Sequence, residues 1–278
     1  MSLAATADLV AEARAAGRGL AAFNVITLEH AEAIVQAAEA AALPVVLQVS
    51  ENAVKFHGGR AATILAGATA AARGARVPVS VHLDHIESPE LLEAGAEAGV
   101  SSMMLDASKR PYAENVRVTV RAADWAHERG IWLEAELGEV GGKDGAHAPG
   151  VRTDPGDAAA YVAATGVDAL AVAVGNSHAM TERTAALDHA LIARLRETVP
   201  VPLVLHGSSG VPDEELRRAV RNGMVKINIG TALNVAYTGS LRESLAADPS
   251  VVDPRRYLSP ARDAMAAVAG RLLAVLAS

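Results

Sequence analysis

Residues 77–108, VPVSVHLDHIESPELLEAGAEAGVSSMMLDAS, hold the pattern that decides the fold. The stretch begins with an apolar run, VPVSVHLD, continues through a helical segment, SPELLEAGAEAG, and ends on a second apolar run, SSMMLDAS. Nearly continuous apolar strands that are separated by helices are typical of a parallel sheet covered by helices on both faces. The stretch therefore predicts one strand–helix–strand step of such a sheet.

The same unit repeats along the chain. Six further runs of strand type are GLAAFNV, PVVLQVS, IWLEAEL, VDALAVAV, VPLVLHGSS and MVKINIG, with Ala-rich amphipathic segments between them. An open doubly wound sheet would carry a glycine-rich phosphate-binding fingerprint after its first strand, and none is present there. The sequence therefore predicts an α/β fold, a closed (β/α)8 TIM barrel that forms a single domain over residues 1–278. A helix before the first strand and a C-terminal helical extension around PARDAMAAVAGRLLAVLA are expected as additions.

Composition excludes several classes of function. The net charge of −7 argues against a nucleic-acid partner, because binding to nucleic acid needs a basic face. The apolar runs are too short to span a bilayer, and the N-terminal segment resembles neither a signal nor a transit peptide. We therefore expect a cytoplasmic protein with no membrane partner. The chain has no cysteine, so a transition metal would have to be held by His, Asp or Glu.

Polar side chains stand at the carboxyl ends of six consecutive predicted strands, where barrel enzymes gather their chemistry. They are His82, Asp84 and His85, then Asp106, then Glu134 and Glu136, then Asn176 and His178, then His206 and Ser209, and finally Asn228 and Thr231. A catalytic zinc takes three protein ligands and keeps one position open. One histidine alone would more often be a hydrogen-bonded rim residue, but three at equivalent strand ends favour ligation by His85, His178 and His206.

Asp84 is the candidate acid/base, because it directly precedes a predicted ligand and strand alternation aims it to the other face. The alternative is a carboxylate that only orients a ligating imidazole. Alternation also places His82 on the face of Asp84, opposite to His85, where we expect a structural role. Asp106 and Glu136 stay open between support of a ligand, an alternative metal position and a simple salt bridge.

Three loops have the composition of binding elements. LHGSSGVPDEEL and KINIGTALNVAY are strand-to-helix junctions, where backbone N–H groups and hydroxyls bind phosphate. They follow the seventh and eighth predicted strands, the usual phosphate site of TIM barrels. GEVGGKDGAHAPGVRTDPG, after the fifth strand, has the length and glycine content of an active-site lid.

Taken together, these motifs resemble a known family. VSVHLDHIE resembles the H-x-D-H signature of the class II, metal-dependent ketose-bisphosphate aldolases, and LEAELGEVGG resembles their second signature. GNSHAM, LHGSSGVP and KINIGTAL resemble the later histidine and phosphate segments in the same order, so the likeness extends from about residue 20 to DPRRYLSPAR. The short length resembles the tagatose/fructose-bisphosphate branch of the family.

The resemblance implies an activity in carbohydrate metabolism such as glycolysis: reversible cleavage of a ketose such as fructose- or tagatose-1,6-bisphosphate to dihydroxyacetone phosphate and an aldehyde. It implies one catalytic Zn²⁺ per chain, held by His85, His178 and His206. It makes Asp84 the acid/base that acts on the C4 hydroxyl. Asp106 and Glu136 match positions that support the ligands or form a second site for a divalent or monovalent cation.

The substrate contacts are also carried by the resemblance. The donor phosphate would be held by Gly207, Ser209, Asn228 and Thr231. The distal phosphate would be reached by Arg255 or Arg256, across a subunit contact of a homodimer or homotetramer.

Two segments depart from the family pattern. The residue after the middle histidine is Ala179 where the family has glycine, and Glu182 stands where a lysine is usual. The lid position that normally carries a glutamate is Asp144, which we expect to move the second proton. We expect Glu182 to turn outward and Arg183 to supply the missing positive charge. The alternative is a zinc aldolase for a different ketose or a keto-acid donor.

Three other functions compete with this hypothesis. A metal-dependent barrel hydrolase that uses zinc-bound water would leave the two phosphate-type loops unexplained. A Schiff-base aldolase would depend on Lys226, which is the only one of the four lysines on a predicted strand. A barrel retained only for binding is disfavoured by a complete ligand set beside Asp84.

Overall fold

The structure is a computed structural model that describes residues 2–137, 152–175 and 180–278. Within these ranges eight parallel strands close into a barrel in sequence order, with β1 paired to both β2 and β8. The strands are β1 (Leu20–Asn24), β2 (Val45–Ser50), β3 (Val79–Ile86), β4 (Ser102–Leu105), β5 (Trp132–Glu136), β6 (Ala169–Ala171), β7 (Leu203–Leu205) and β8 (Met224–Ile229). The predicted TIM barrel is confirmed, and each of the eight apolar runs forms its strand.

Helices surround the barrel. In the described ranges they are α1 (Thr6–Ala15), α2 (Leu28–Ala41), α3 (Glu51–Phe56), α4 (Ala61–Gly74), α5 (Pro89–Glu97), α6 (Tyr112–His127), α7 (Pro155–Thr165), α8 (His189–Thr198), α9 (Asp213–Asn222), α10 (Thr231–Ala247) and α11 (Arg255–Leu276). Across these helices, no segment combines the length and the apolar character that a membrane span requires.

Local signals set the helix ends. In α7, the Asp154 side chain accepts hydrogen bonds from the N–H groups of Gly156 and Asp157, and Pro155 occupies the first helical position. The helix ends at Gly166, whose φ of 68° is the left-handed conformation that favours glycine. These signals fix where the chain enters and leaves the helix layer.

The two predicted additional helices are present. On α1, Leu9, Val10 and Ala13 pack with side chains of β1, β2 and β8, so the helix covers the N-terminal end of the barrel. Helix α11 packs against α2 and α9. Helix α11 therefore lies in the outer layer between α9 and α2.

The inside of the barrel is polar below its C-terminal rim. The side chains of Gln48, His82, Glu134 and Lys226 are all buried, on β2, β3, β5 and β8 respectively. The largest apolar cluster lies between strands and helices, with residues such as Leu47 and Leu83 on the outward face, and two smaller apolar clusters include Val46 and Met104. A polar barrel interior requires that its groups bond to one another, because a buried polar group without a partner destabilises the fold.

Candidate functional site

A cavity of about 350 Å³ opens at the C-terminal mouth of the barrel. Its walls come from the ends of β1, β2, β3 and β8 and from the loops that follow β7 and β8. Predicted site residues that line it are Asp84, His85, Gly207, Ser209, Asn228 and Thr231. Chemistry at the C-terminal face is what the barrel architecture leads us to expect.

A cluster of side chains of the kind that bind metal ions lies at the mouth of the cavity. One side-chain ligand atom from each of Asp84, His85 and His206 falls within 4.8 Å of the other two. The Nδ1 of His85 lies 2.7 Å from Oδ2 of Asp106, which leaves Nε2 on the side of Asp84, 3.8 Å from its Oδ2. A carboxylate on the far nitrogen of a ligating histidine fixes its ring and tautomer. Asp106 therefore orients His85 within the cluster.

His206 is oriented in the same way by a different carboxylate. Its Nε2 lies 2.9 Å from Oε1 of Glu134, and its Nδ1 lies 3.7 Å from Oε2 of Glu136. The ring is fully buried at the end of β7. Glu136 therefore stands beside the cluster without forming a short hydrogen bond to His206.

Asp84 and His85 reach the same site although they are consecutive in a strand. Regular alternation would send them to opposite faces. The register of the pairing between β3 and β4 shifts between Leu83 and Ile86. His85 lies within this interval and has a φ of 49°. This left-handed backbone brings both side chains to one cavity, which corrects the expectation of opposite faces.

The opposite charges of Asp84 and His85 stabilise each other. Burial disfavours the Asp84 carboxylate, but the charge of His85 and the neighbouring His82 hold the pKa of Asp84 well below its usual range. Burial lowers the pKa of His85, yet the charge of Asp84 and the hydrogen bond to Asp106 raise it to about 10. A metal ion that binds here must displace that imidazole proton, because only neutral imidazole is a ligand.

A second polar layer lies below the rim. Lys226 Nζ is 2.9 Å from Oε2 of Glu134. Burial opposes ionisation of Glu134, but the ammonium of Lys226 and the hydrogen bond with His206 lower its pKa to about 2. His82 is fully buried, with Nδ1 2.8 Å from the hydroxyl of Ser102. Burial lowers the pKa of His82, which fits the structural role expected for it.

The two phosphate-type loops meet at the cavity. Gly207 has a φ of 60°, and the Oγ of Ser209 accepts a hydrogen bond of 3.0 Å from the N–H of Ala232 at the start of α10. Asn228 is 6% exposed, and its Nδ2 has no hydrogen-bond partner among the described residues. The loops therefore present backbone, hydroxyl and amide groups to one space.

Other predicted residues lie elsewhere. Glu182 is exposed, and Arg183 donates to the carbonyl of Val211 and pairs with Asp213. Arg255 and Arg256 pair with Asp253 and Asp248 at the start of α11, outside the cavity lining of this chain. Asp144, His178, Ala179 and Asn176 lie outside the described residues.

Sequence reasoning missed the contributions of the first two strands. Asn24 and Gln48 line the cavity and bond to each other, Gln48 Nε2 to Asn24 Oδ1, at 3.2 Å. Ser50 also lines it. The signal was available, because these polar residues stand at the ends of the runs GLAAFNV and PVVLQVS, in the positions already singled out on the later strands.

Comparisons with known proteins agree with this geometry. A family model described as fructose-bisphosphate aldolase class-II matches residues 4–278. The chain is 40% identical to the fructose-bisphosphate aldolase of Geobacillus stearothermophilus over 276 residues, which cover 98% of this chain and 96% of that protein. It is 39% identical to the fructose-bisphosphate aldolase of Thermus caldophilus, with 93% of this chain and 92% of that protein covered.

A solved structure gives the same result. The YdjI aldolase from Escherichia coli K12 superimposes with a TM-score of 0.85 at 32% identity, with 99% of this chain and 98% of that chain covered. The family model spans nearly the whole sequence, and the relatives match it over nearly their full length. The chain therefore belongs to the class II fructose-bisphosphate aldolase family.

Proposed function

We propose that this chain is a zinc-dependent aldolase that reversibly cleaves a ketose 1,6-bisphosphate of the fructose or tagatose type to dihydroxyacetone phosphate and an aldehyde. The observation that carries the proposal is the convergence of Asp84, His85 and His206 within 4.8 Å, at a cavity that is also lined by two phosphate-type loops. The names of its relatives support the substrate class. Class II aldolases are carbon–carbon lyases that act on phosphorylated sugars.

The residues fit a zinc ion. Class II aldolases are zinc-dependent in general, and the donor set is made of imidazoles in a chain without cysteine. We assign His85 and His206 as ligands, with His178 as the third. When bound, the ion supplies a Lewis acid that polarises the substrate carbonyl and stabilises the negative charge left by cleavage.

Two carboxylates near the ligands have supporting roles in this proposal. Asp106 holds Nδ1 of His85 at 2.7 Å, so we assign it to orientation of that ring. Glu136, whose Oε2 lies 3.7 Å from Nδ1 of His206, is assigned to a second divalent or monovalent cation. A cation at that second position would bind to carboxylate oxygens, the ligands that hard cations prefer.

Asp84 takes the proton from the C4 hydroxyl in the direction of cleavage. Its Oδ2 accepts a hydrogen bond of 2.9 Å from Nε2 of Gln48, which fixes the carboxylate at the cavity wall. The donor phosphate is held by Gly207, Ser209, Asn228 and Thr231. We assign Asp144 to the proton at C3, and Ala179, Arg183 and Arg256 to substrate binding. Burial of Asp84 keeps bulk water from its carboxylate.

We also propose that residues 1–278 form one domain, that the protein is a cytoplasmic enzyme of sugar metabolism, and that it assembles as a homodimer or homotetramer. The packing of α1 and α11 on the barrel supports the single domain. A cytoplasmic role in sugar metabolism agrees with the metabolic aldolases among its relatives. The exposure of Arg255 and Arg256 at the start of α11 supports a role for them at a subunit contact.

A retro-aldol screen tests the activity. The purified protein is assayed with phosphorylated and unphosphorylated ketoses of both C4 configurations, with and without added zinc. We expect cleavage of fructose- or tagatose-1,6-bisphosphate only in the presence of the metal. Equal turnover of unphosphorylated ketoses, or turnover that survives complete chelation, would contradict the proposal.

A further inference from the structure

Lys226 lies inside the barrel with no exposed surface, below the cavity rather than in its wall. Its ammonium has three acceptors: Oε1 of Gln48 at 3.1 Å, Oε2 of Glu134 at 2.9 Å and Oδ1 of Asn228 at 2.9 Å. An ammonium has three hydrogens to donate and no lone pair. Each hydrogen is therefore matched to one acceptor, which is what a buried charge requires.

The ammonium also dictates which way two amides point. Because it can only donate, it holds the amide oxygens of Gln48 and Asn228 toward itself, so their NH₂ groups face the other way. The NH₂ of Gln48 then donates to Oδ2 of Asp84 at 2.9 Å. In the flipped orientation an amide oxygen would face the Asp84 carboxylate, which repels it.

The NH₂ of Asn228 is directed by the same contact. Its Oδ1 is occupied by Lys226, and its Nδ2 has no hydrogen-bond partner in the part of the chain that the structure describes. Asn228 lines the cavity. The lysine thus leaves an unpaired, buried N–H donor beside the cavity wall, which we assign to a substrate oxygen.

The third contact leads to the proposed metal. Glu134 uses Oε2 for Lys226 and Oε1 for Nε2 of His206, each at 2.9 Å. A carboxylate that bridges a cation and an imidazole in this way has both oxygens fixed. Through Glu134, Lys226 therefore helps to fix the orientation of the His206 ring.

We propose that Lys226 is a positioning residue with two separable actions: it orients His206 through Glu134, and it sets the amide orientation of Gln48 and Asn228 that presents donors to Asp84 and to substrate. The second action rests on the proposed aldolase function. The complete burial of Lys226 and its three bonded acceptors leave it no route to a substrate carbonyl, in contrast to a Schiff-base lysine.

The test separates the two actions with Lys226→Met, Glu134→Gln and the double variant. Zinc dissociation constants are measured by competition with a chelator, without substrate, and cleavage is measured at saturating zinc. Lys226→Met leaves Glu134 without its cation, and we expect zinc affinity to fall by about 10- to 100-fold, the usual effect of losing such a supporting group. Lys109→Met, at a lysine whose side chain is 76% exposed, is the matched control and should leave zinc affinity unchanged.

A comparison of Glu134→Gln with the double variant Glu134→Gln/Lys226→Met isolates the effect of Lys226 on the Gln48 and Asn228 amides. Both proteins lack the Glu134 carboxylate, so the loss of Lys226 cannot act on His206 through it. They should bind zinc equally, yet the double variant should have the lower kcat for ketose cleavage. Equal kcat in the two proteins would overturn the amide action and reduce Lys226 to a counter-ion. Unchanged zinc affinity in Lys226→Met would overturn the action through His206.

A further pair keeps the test decisive if Lys226→Met does not fold. Gln48→Leu with Lys226 intact should lower cleavage without loss of zinc affinity, whereas Glu134→Gln should weaken zinc binding. Full cleavage activity in Gln48→Leu would overturn the amide action. Failure of the aldolase function itself is recognised separately, because the unmutated protein would then cleave no ketose phosphate while its zinc affinity still responded to Lys226 and Glu134.

Discussion

Oδ2 of Asp84 and Nε2 of His85 lie 3.8 Å apart, although the two residues are neighbours in one strand. The arrangement depends on the left-handed backbone of His85, with a φ of 49°. A non-glycine residue in that region costs on the order of 1 kcal/mol and persists only when the surroundings hold it. One such support is Glu51 at the start of α3, whose Oε2 accepts the N–H groups of Glu87 at 2.7 Å and Ser88 at 3.4 Å.

We therefore predict that Glu51→Ala weakens zinc binding although Glu51 contacts no proposed ligand. The variant should also lose about 1 kcal/mol of stability, since two partly buried N–H groups lose their acceptor. Glu51→Gln keeps an acceptor and should lose less of both. Competition titration with a chelator and urea unfolding measure the two effects, and Glu90→Ala, at an exposed position of α5, is the control. Wild-type zinc affinity in Glu51→Ala would show that the turn holds itself.

The barrel was predictable because its signal is repeated. Each strand run is mostly apolar and is followed by a helix, so even the three-residue strands Ala169–Ala171 and Leu203–Leu205 lie where their runs predict. The direction of His85 was not predictable, because it depends on a local change of register rather than on strand alternation. The buried contacts of Lys226 were also missed, since no spacing in sequence connects it to Gln48 or Glu134.

The second prediction concerns the metal. The purified protein should hold about one tightly bound zinc ion per chain, because three-histidine sites fit that ion. Chelation should abolish cleavage, and zinc or cobalt should restore it. Replacing His85, His178 or His206 with Ala should each reduce the metal content measured by elemental analysis. Borohydride trapping of a substrate on Lys226, with activity that survives chelation, would reverse the mechanism.

The third prediction separates proton transfer from metal binding. Asp84→Ala should lower carbon–carbon cleavage by a factor of about 10² to 10⁴, the usual effect of removing a general acid or base, while zinc stays bound. Exchange of the C3 proton of dihydroxyacetone phosphate should survive better than cleavage, because that proton is assigned to another group. A variant that loses zinc but turns over normally when zinc is resupplied would make Asp84 only an orienting carboxylate.

The fourth prediction is a pH dependence of stability that originates at His30. This ring is buried at the start of α2, where Nδ1 accepts the N–H of Thr27 at 3.3 Å and Nε2 donates to Oδ1 of Asn234 at 3.2 Å. Burial lowers its pKa, although Asn234 and Glu29 oppose the shift. The unfolded chain therefore binds a proton more readily, so this contribution is complete above about pH 6.5 and is lost as the pH falls.

The free energy of unfolding measured between pH 8 and pH 5 should thus fall more steeply for the wild-type protein than for His30→Gln. Parallel slopes for His30→Gln and the wild type would assign the acid sensitivity to other groups.

The last prediction concerns Glu182, which stands where the family usually has a lysine. Near a dianionic phosphate this exchange replaces attraction with repulsion, about 1 kcal/mol per unit charge at water-like screening. The exposed position of Glu182 agrees with a side chain turned away from the donor. Arg183 donates through Nε to the carbonyl of Val211 at 3.0 Å, directly after the loop of Gly207 and Ser209.

Arg183→Ala should therefore raise the KM for dihydroxyacetone phosphate strongly, both by loss of charge and by release of that loop. Arg183→Lys keeps the charge but not the guanidinium geometry, and it should lie between the wild type and Arg183→Ala. Glu182→Lys should lower the KM modestly. Steady-state kinetics in the direction of condensation measure all three variants. If Arg183→Ala leaves the KM unchanged and unphosphorylated donors react equally well, the loops after β7 and β8 bind something other than a phosphate, and the bisphosphate substrate must be abandoned with them.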